Sequence, residues 1–78
     1  MNGQTACNYL KAGVTVYTKH LQIVPNDRRT QATIEGPEFR VPFHHFRPSV
    51  LEEDRIVFDD PSGVRIAYVD VSHAEVIM

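Results

Sequence analysis

The stretch that most constrains the fold is residues 55–71, which read RIVFDDPSGVRIAYVDV. Two runs rich in β-branched and aromatic residues flank a central DDPSG segment, so the backbone is expected to reverse direction there. Proline fixes one backbone angle near the corner, and Gly63 can adopt the positive φ that closes a hairpin through a bulge. The pattern predicts a β-hairpin against which the rest of the chain packs.

The chain has 78 residues, enough for one hydrophobic core but not for two, so we expect a single domain spanning residues 1–78. Such a core stabilises the fold by only about 3 to 5 kcal/mol, which favours self-association as a further stabiliser. Cys7 is the one cysteine, and a lone cysteine is typical of a reducing compartment. The first twenty residues hold neither a signal peptide nor an apolar membrane segment. We therefore expect a cytoplasmic protein.

Alternating apolar residues predict strands elsewhere in the chain, at residues 14–24, 30–35 and 38–43. In the first region the alternation changes phase, so a bulge or turn is expected at residues 18–20, and a second turn at residues 25–27. Pro42 has no N–H group to donate to a ladder. The strand that contains it is therefore expected at a sheet edge.

Helices are expected to be few and short. Residues 5–11 fit either an edge strand, the preferred interpretation, or a short helix that Thr5 caps and Gly13 ends. Ser49 and Glu52 match a capping box, which predicts one short helix near residues 50–54. A second box at residues 72–75 allows either one helical turn or a frayed tail.

These elements predict a mainly β domain (α+β possible) with about five to seven short strands. The strands form a small antiparallel meander, as a curved sheet or a small barrel, with one short helix near residues 50–54. The core is expected to comprise Val14, Val16, Leu21, Ile23, Ile34, Phe39, Val41, Phe43, Leu51, Ile56, Phe58, Ile66, Tyr68 and Val71.

The last strand is apolar on both faces. Val64, Ile66 and Tyr68 share one face, and Val69 and Val71 share the other. A strand of this kind is either central in its sheet or covered by another subunit. We therefore expect Val69 and Val71 to contribute to a homodimer contact.

Residues 40–47, RVPFHHFR, mix cations, imidazoles and aromatic rings. The candidate partner-binding residues are Arg40, His44, His45, Phe46 and Arg47. Guanidinium groups bind phosphate and rings stack on unpaired bases, so this mixture is found in single-stranded nucleic-acid modules. Such modules are usually basic, however, whereas this chain has a net charge of −2. An exposed Phe46 beside an arginine fits a protein interface equally well.

Metal binding and catalysis have weaker signals. His44 and His45 are adjacent and point in opposite directions on an extended chain, and no spacing ties a third ligand to them. The carboxylates at residues 52–54 and 59–60 share a solvated setting, whereas acid–base catalysis needs environments that differ. Neither a glycine-rich phosphate loop nor a nucleophile elbow is present. We expect no catalytic residues, no cofactor and no metal ligand set.

The sequence thus predicts a small non-catalytic protein-interaction or accessory module that uses an exposed strand edge and the loop at His44 to Arg47. Its expected partner is a second copy or another protein, not a membrane. Single-stranded nucleic-acid binding through residues 40–47 is the first alternative. Metal binding through histidines is the second.

Overall fold

A computed structural model describes residues 1–26, 30–60, 62–63 and 65–77. Within these ranges the chain forms one helix and eight strands. The elements are α1 (Gly3–Lys11), β1 (Val16–Tyr17), β2 (Gln22–Pro25), β3 (Ala32–Glu35), β4 (Arg40–Phe43), β5 (His45–Pro48), β6 (Arg55–Asp59), β7 (Ile66–Asp70) and β8 (Glu75–Val76). No helix in the described ranges is long and apolar enough to cross a membrane. The predictions made for Asp27, Pro61, Val64 and Met78 lie outside the described residues.

The strands form two antiparallel sheets that pack face to face. The larger sheet has the order β4-β3-β2-β1-β8 and the smaller sheet the order β5-β6-β7. Phe43 of the larger sheet contacts Phe58 of the smaller one, with 5.7 Å between ring centroids. The mainly β, antiparallel prediction is confirmed, but neither sheet closes into a barrel in the described part of the chain, and the strands exceed the expected number.

The predicted hairpin is confirmed, and β6 turns Ile56 and Phe58 inward as expected, but β7 turns inward the face opposite to that of Ile66 and Tyr68. β6 pairs with β7, and Gly63 has a φ of +71° in the turn. Ile56 and Phe58 are fully buried, and the register places Val69 and Ala67 opposite them. The inward face of β7 is therefore the one that continues to Val71.

The exposed fractions show the consequence for the predicted core and dimer contact. Val69 and Val71 are 6% and 0% exposed, whereas Ile66 and Tyr68 are 53% and 63% exposed. The core assignment of Ile66 and Tyr68 is wrong. A surface contact made by the Val69 and Val71 side chains is not available in this fold, because both are buried within the subunit.

The segment read as an edge strand is instead α1. Asn2 caps the helix by accepting a hydrogen bond from the Thr5 N–H at 2.8 Å, and Gly13, with a φ of +83°, follows its C-terminal end. Ala6 and Leu10 lie four positions apart, so a helix brings both to one face together with Cys7. This face is buried in the core.

The prediction of a short helix near residues 50–54 is wrong. The capping hydrogen bond does form, since Ser49 Oγ accepts from the Glu52 N–H at 3.2 Å. The chain then makes a turn rather than a helix, because Arg55 already starts β6. Leu51, expected in the core, is 95% exposed.

The tail forms a strand, and neither alternative for residues 72–78 holds for its described part. Ser72 does not cap a helix, because its N–H and its hydroxyl both donate to Asp70 Oδ1, at 2.8 and 2.7 Å. This closes a tight turn after β7. β8 then pairs with β1.

Two predictions for the larger sheet are confirmed and one is wrong. The phase break falls at residues 18–20, where Thr18 and Leu21 close the turn between β1 and β2. β4, which contains Pro42, lies at the sheet edge as expected. Phe39 is not in the core: it is 47% exposed, and its ring lies against Gly36.

Substitution of Gly3 tests how closely the start of α1 packs against the backbone at Glu53 and Arg55. Its N–H donates to the Glu53 carbonyl oxygen at 2.7 Å, and a Cβ at this position would overlap the Arg55 carbonyl oxygen. Backbone atoms cannot move aside cheaply, so we expect Gly3→Ala to lower the free energy of unfolding by about 1 to 3 kcal/mol in chemical denaturation.

Helix propensity alone gives the opposite sign, since alanine favours a helix over glycine by about 1 kcal/mol. The control is Gln4→Ala on the exposed side of the same turn, expected to change stability by less than about 0.5 kcal/mol. A Gly3→Ala protein as stable as the wild type contradicts this seating of α1.

Candidate functional site

Residues 40–47 carry the chain from the larger sheet to the smaller one. β4 ends at Phe43, His44 is the single residue between the strands, and β5 begins at His45. The candidate residues therefore lie on two different sheets.

Phe46 is not a surface residue. Its side chain is 3% exposed, and its ring lies 6.2 Å from that of Phe58 in the core. The expectation of an exposed Phe46 is wrong because β5 packs on α1 and turns this position inward. In this fold the Phe46 ring therefore cannot stack on a nucleic-acid base or on a partner protein.

The two arginines of the segment are already paired with carboxylates. Arg40 Nε lies 3.2 Å from Glu35 Oε1, and the Arg47 guanidinium donates to Asp59 on the neighbouring strand. The pairs offset the positive charge that phosphate binding requires. The nucleic-acid hypothesis stays a prediction with little support from this geometry.

The histidines of the segment do not assemble a metal centre. His45 Nδ1 lies 3.5 Å from Asp59 Oδ1 on the outer face of the smaller sheet, whereas His44 is exposed between the two sheets. Across the described residues, no group of three His, Cys, Asp or Glu side chains is placed to hold a metal ion.

Cys7 is the one thiol, and its position makes it a poor nucleophile. It is fully buried on α1, and burial raises the pKa of the Cys7 thiol to about 11, with a small opposing effect from Lys11. The thiolate is the reactive form. The burial therefore places Cys7 with the core residues and not with a reactive site.

This gives a direct prediction for thiol labelling. At about pH 8 a thiol-specific reagent is expected to leave Cys7 of the native protein unlabelled and to label it fully once denaturant unfolds the chain. Mass spectrometry measures the labelled fraction, with Cys7→Ala as the unlabelled control. Native labelling as fast as that of a free thiol contradicts the burial of this residue.

The feature that stands out instead is the free edge of β7. The Asp60 N–H donates to the Arg65 carbonyl at 3.1 Å, and the Val71 N–H donates to the Asp54 carbonyl at 2.8 Å. Hydrogen-bonded pairs alternate along an antiparallel ladder. The odd-numbered residues of β7 therefore direct their backbone groups toward β6.

The even-numbered residues, Ile66, Tyr68 and Asp70, direct their N–H and C=O groups away from β6. β7 is the last strand of its sheet, and no turn, loop or cap hydrogen bond in the described ranges uses these groups. Proteins often blunt such an edge with proline or lysine. β7 has neither, whereas β4 has Pro42.

An apolar groove, called here the edge groove, runs beside β7. It has a volume of about 230 Å³ and is lined by Leu21, Ile34, Phe39, Val41, Phe43, Ala67, Tyr68 and Val69. Phe39 is 47% exposed, and Leu21 and Val41 are half-buried. The groove lies where the inner face of the larger sheet continues past the last strand of the smaller one.

The sequence pointed to the wrong place for this site. Pro42 correctly marked β4 as an edge, but the open edge is that of β7, for which no local signal exists. Phe39 and Val41 were assigned to the core because they alternate with polar neighbours. Only the unequal widths of the two sheets leave them partly uncovered.

No family model, curated protein or solved structure matches this chain. Its function therefore has to be inferred from the geometry of its own residues.

Proposed function

We propose that this chain is a non-catalytic protein-interaction domain that receives an extended segment of a partner protein at the free edge of β7. The observation that carries the proposal is the open edge lying directly beside the edge groove. Backbone groups on the edge supply hydrogen bonds, and the groove supplies an apolar surface. Peptides that add a strand to a sheet use both.

The pairing is expected to place side chains of the incoming segment alternately on the two faces of the extended sheet. Those on the inner face would cover Leu21, Phe39 and Val41. Those on the outer face would lie beside Ile66 and Tyr68, the exposed apolar side chains of β7. One strand thus covers apolar surface on both sides.

A binding role is also consistent with the environments of the side chains that could otherwise act in catalysis. Asp60 and Asp70, whose pKa values hydrogen bonds from Ser62 and Ser72 lower, serve as turn acceptors. Cys7 is buried. With a lone cysteine, we place the interaction in a reducing compartment such as the cytoplasm.

Tyr68→Pro tests the proposal. The Tyr68 N–H points away from β6, so proline removes an edge donor while leaving the β6–β7 ladder in place. The matched control is Tyr68→Thr, which also removes the ring but keeps the N–H. The probe is a phage-displayed library of random linear peptides, from which binders of the wild-type domain are selected and synthesised.

We expect the selected peptides to lose about tenfold or more in affinity for Tyr68→Pro, because strand addition depends on the backbone donor, and less than about threefold for Tyr68→Thr. Isothermal calorimetry measures both, and circular dichroism checks that each variant is folded. A library that yields no binder, or binders indifferent to Tyr68→Pro, contradicts the proposed function.

A further inference from the structure

The edge groove continues into a second cavity at the C-terminal end of β7, called here the histidine cavity. It has a volume of about 290 Å³ and shares Leu21, Tyr68 and Val69 with the edge groove. Lys19, His20 and His73 also line it. A segment lying along β7 therefore passes from an apolar surface to one that carries a cation and two imidazoles.

Two closed turns bring these side chains to the lining of the cavity. In the β1–β2 turn, the Thr18 N–H donates to the Leu21 carbonyl at 2.8 Å, and Thr18 Oγ1 accepts from the Leu21 N–H at 3.1 Å. This turn presents Lys19 and His20. In the turn after β7, the Ala74 N–H donates to the Val71 carbonyl at 3.0 Å, and His73 lies between them.

The acidic groups around the cavity are largely engaged. Asp70 lines the cavity, but its Oδ1 accepts two hydrogen bonds from Ser72, and Arg55 lies opposite it in the ladder. Arg55 is itself 2.5 Å from Glu52. Glu35 lines a neighbouring cavity together with His20, and its carboxylate is paired with Arg40.

The lysine and the two histidines of the cavity have fewer partners within the chain. Within the described ranges, Lys19 and His20 have no hydrogen-bond or ion-pair partner, and His73 has only an electrostatic attraction to Asp70. Glu75, which pairs with Tyr17 across β8 and β1, does not line the cavity. The cavity thus contains three nitrogen-bearing side chains that have few acidic partners within the chain.

From this charge arrangement we infer that the partner segment bound beside β7 is acidic at the end that reaches Lys19, His20 and His73. This inference rests on the proposed function and adds the chemistry of the partner. The segment carries apolar residues at alternate positions over the edge groove, followed by an aspartate or glutamate in the histidine cavity. Complementary charge then fixes the direction of the strand on the edge.

Added salt is expected to weaken this interaction, because ions in solution screen the attraction between exposed charges. Asp70, whose pKa is lowered by the hydrogen bonds from Ser72, is a carboxylate at neutral pH and opposes the incoming acidic residue. The preference for an acidic segment therefore has to come from Lys19, His20 and His73.

The experiment compares a selected peptide in two forms, one with its acidic residue and one with the corresponding amide. Affinities are measured at about 20 mM and about 1 M salt. Three exposed polar or charged contacts of ordinary strength together amount to about a fivefold to tenfold difference in affinity. We expect the acidic form to bind tighter than the amide form by that factor at low salt, and the difference to shrink at high salt.

The variants assign the effect to the cavity. Lys19→Gln is expected to reduce the preference for the acidic form at low salt, and adding His20→Gln and His73→Gln to remove what remains of it. The matched controls are His44→Gln and Lys11→Gln, exposed positions outside both cavities, which are expected to leave that preference unchanged.

The outcomes separate the two proposals. Peptides that are sensitive to Tyr68→Pro but bind equally well as acid and amide overturn this inference and leave the proposed function intact. A preference for the acidic form that survives Lys19→Gln combined with both histidine substitutions also overturns it. If the wild-type domain sediments as a dimer that Tyr68→Pro dissociates, the occupant is a second copy, and the acidic segment is excluded.

Discussion

The structure depends on the burial of the apolar inner face of the larger sheet. This face is wider than the elements that cover it. The larger sheet has five strands and the smaller sheet three. α1 supplies further cover through Ala6, Cys7 and Leu10, all at most 1% exposed. Around Leu21, Phe39 and Val41 nothing in the described part of the chain completes the layer, and this shortfall gives the molecule its edge groove.

The same constraint determines the orientation of β7. A strand with apolar residues on both faces can present either face to a core, and β7 reads IAYVD. The larger side chains, Ile66 and Tyr68, favour burial by area alone. The register with Ile56 and Phe58 decides otherwise: it buries Val69 and half-buries Ala67. The pairing of β7 with β6, and not the size of its side chains, thus determines which face of β7 is buried.

Several local features could be predicted because the sequence itself encodes them. The hairpin at residues 55–71 follows from turn residues between two β-rich runs, and the positive φ of Gly63 from its place in that turn. The edge position of β4 follows from the missing N–H of Pro42. Each of these depends on residues close in sequence.

Features set by tertiary packing could not be predicted in this way. Residues 3–11 form a helix because Ala6, Cys7 and Leu10 find a covered site, not because the segment is long enough to be stable alone. The serines of the two expected capping boxes bind locally without starting a helix: Ser49 accepts from Glu52, and Ser72 donates to Asp70. The candidate site was misplaced for the same reason, since an open edge is a property of the assembled sheets.

The most direct measurement of the central claim is amide hydrogen exchange along β7, followed by NMR on the isolated domain. The account predicts alternation: the amides of Ala67, Val69 and Val71, which point toward β6, exchange slowly, and those of Ile66, Tyr68 and Asp70 exchange at nearly unprotected rates. Equal protection of both sets, or the opposite alternation, would contradict an open edge at β7.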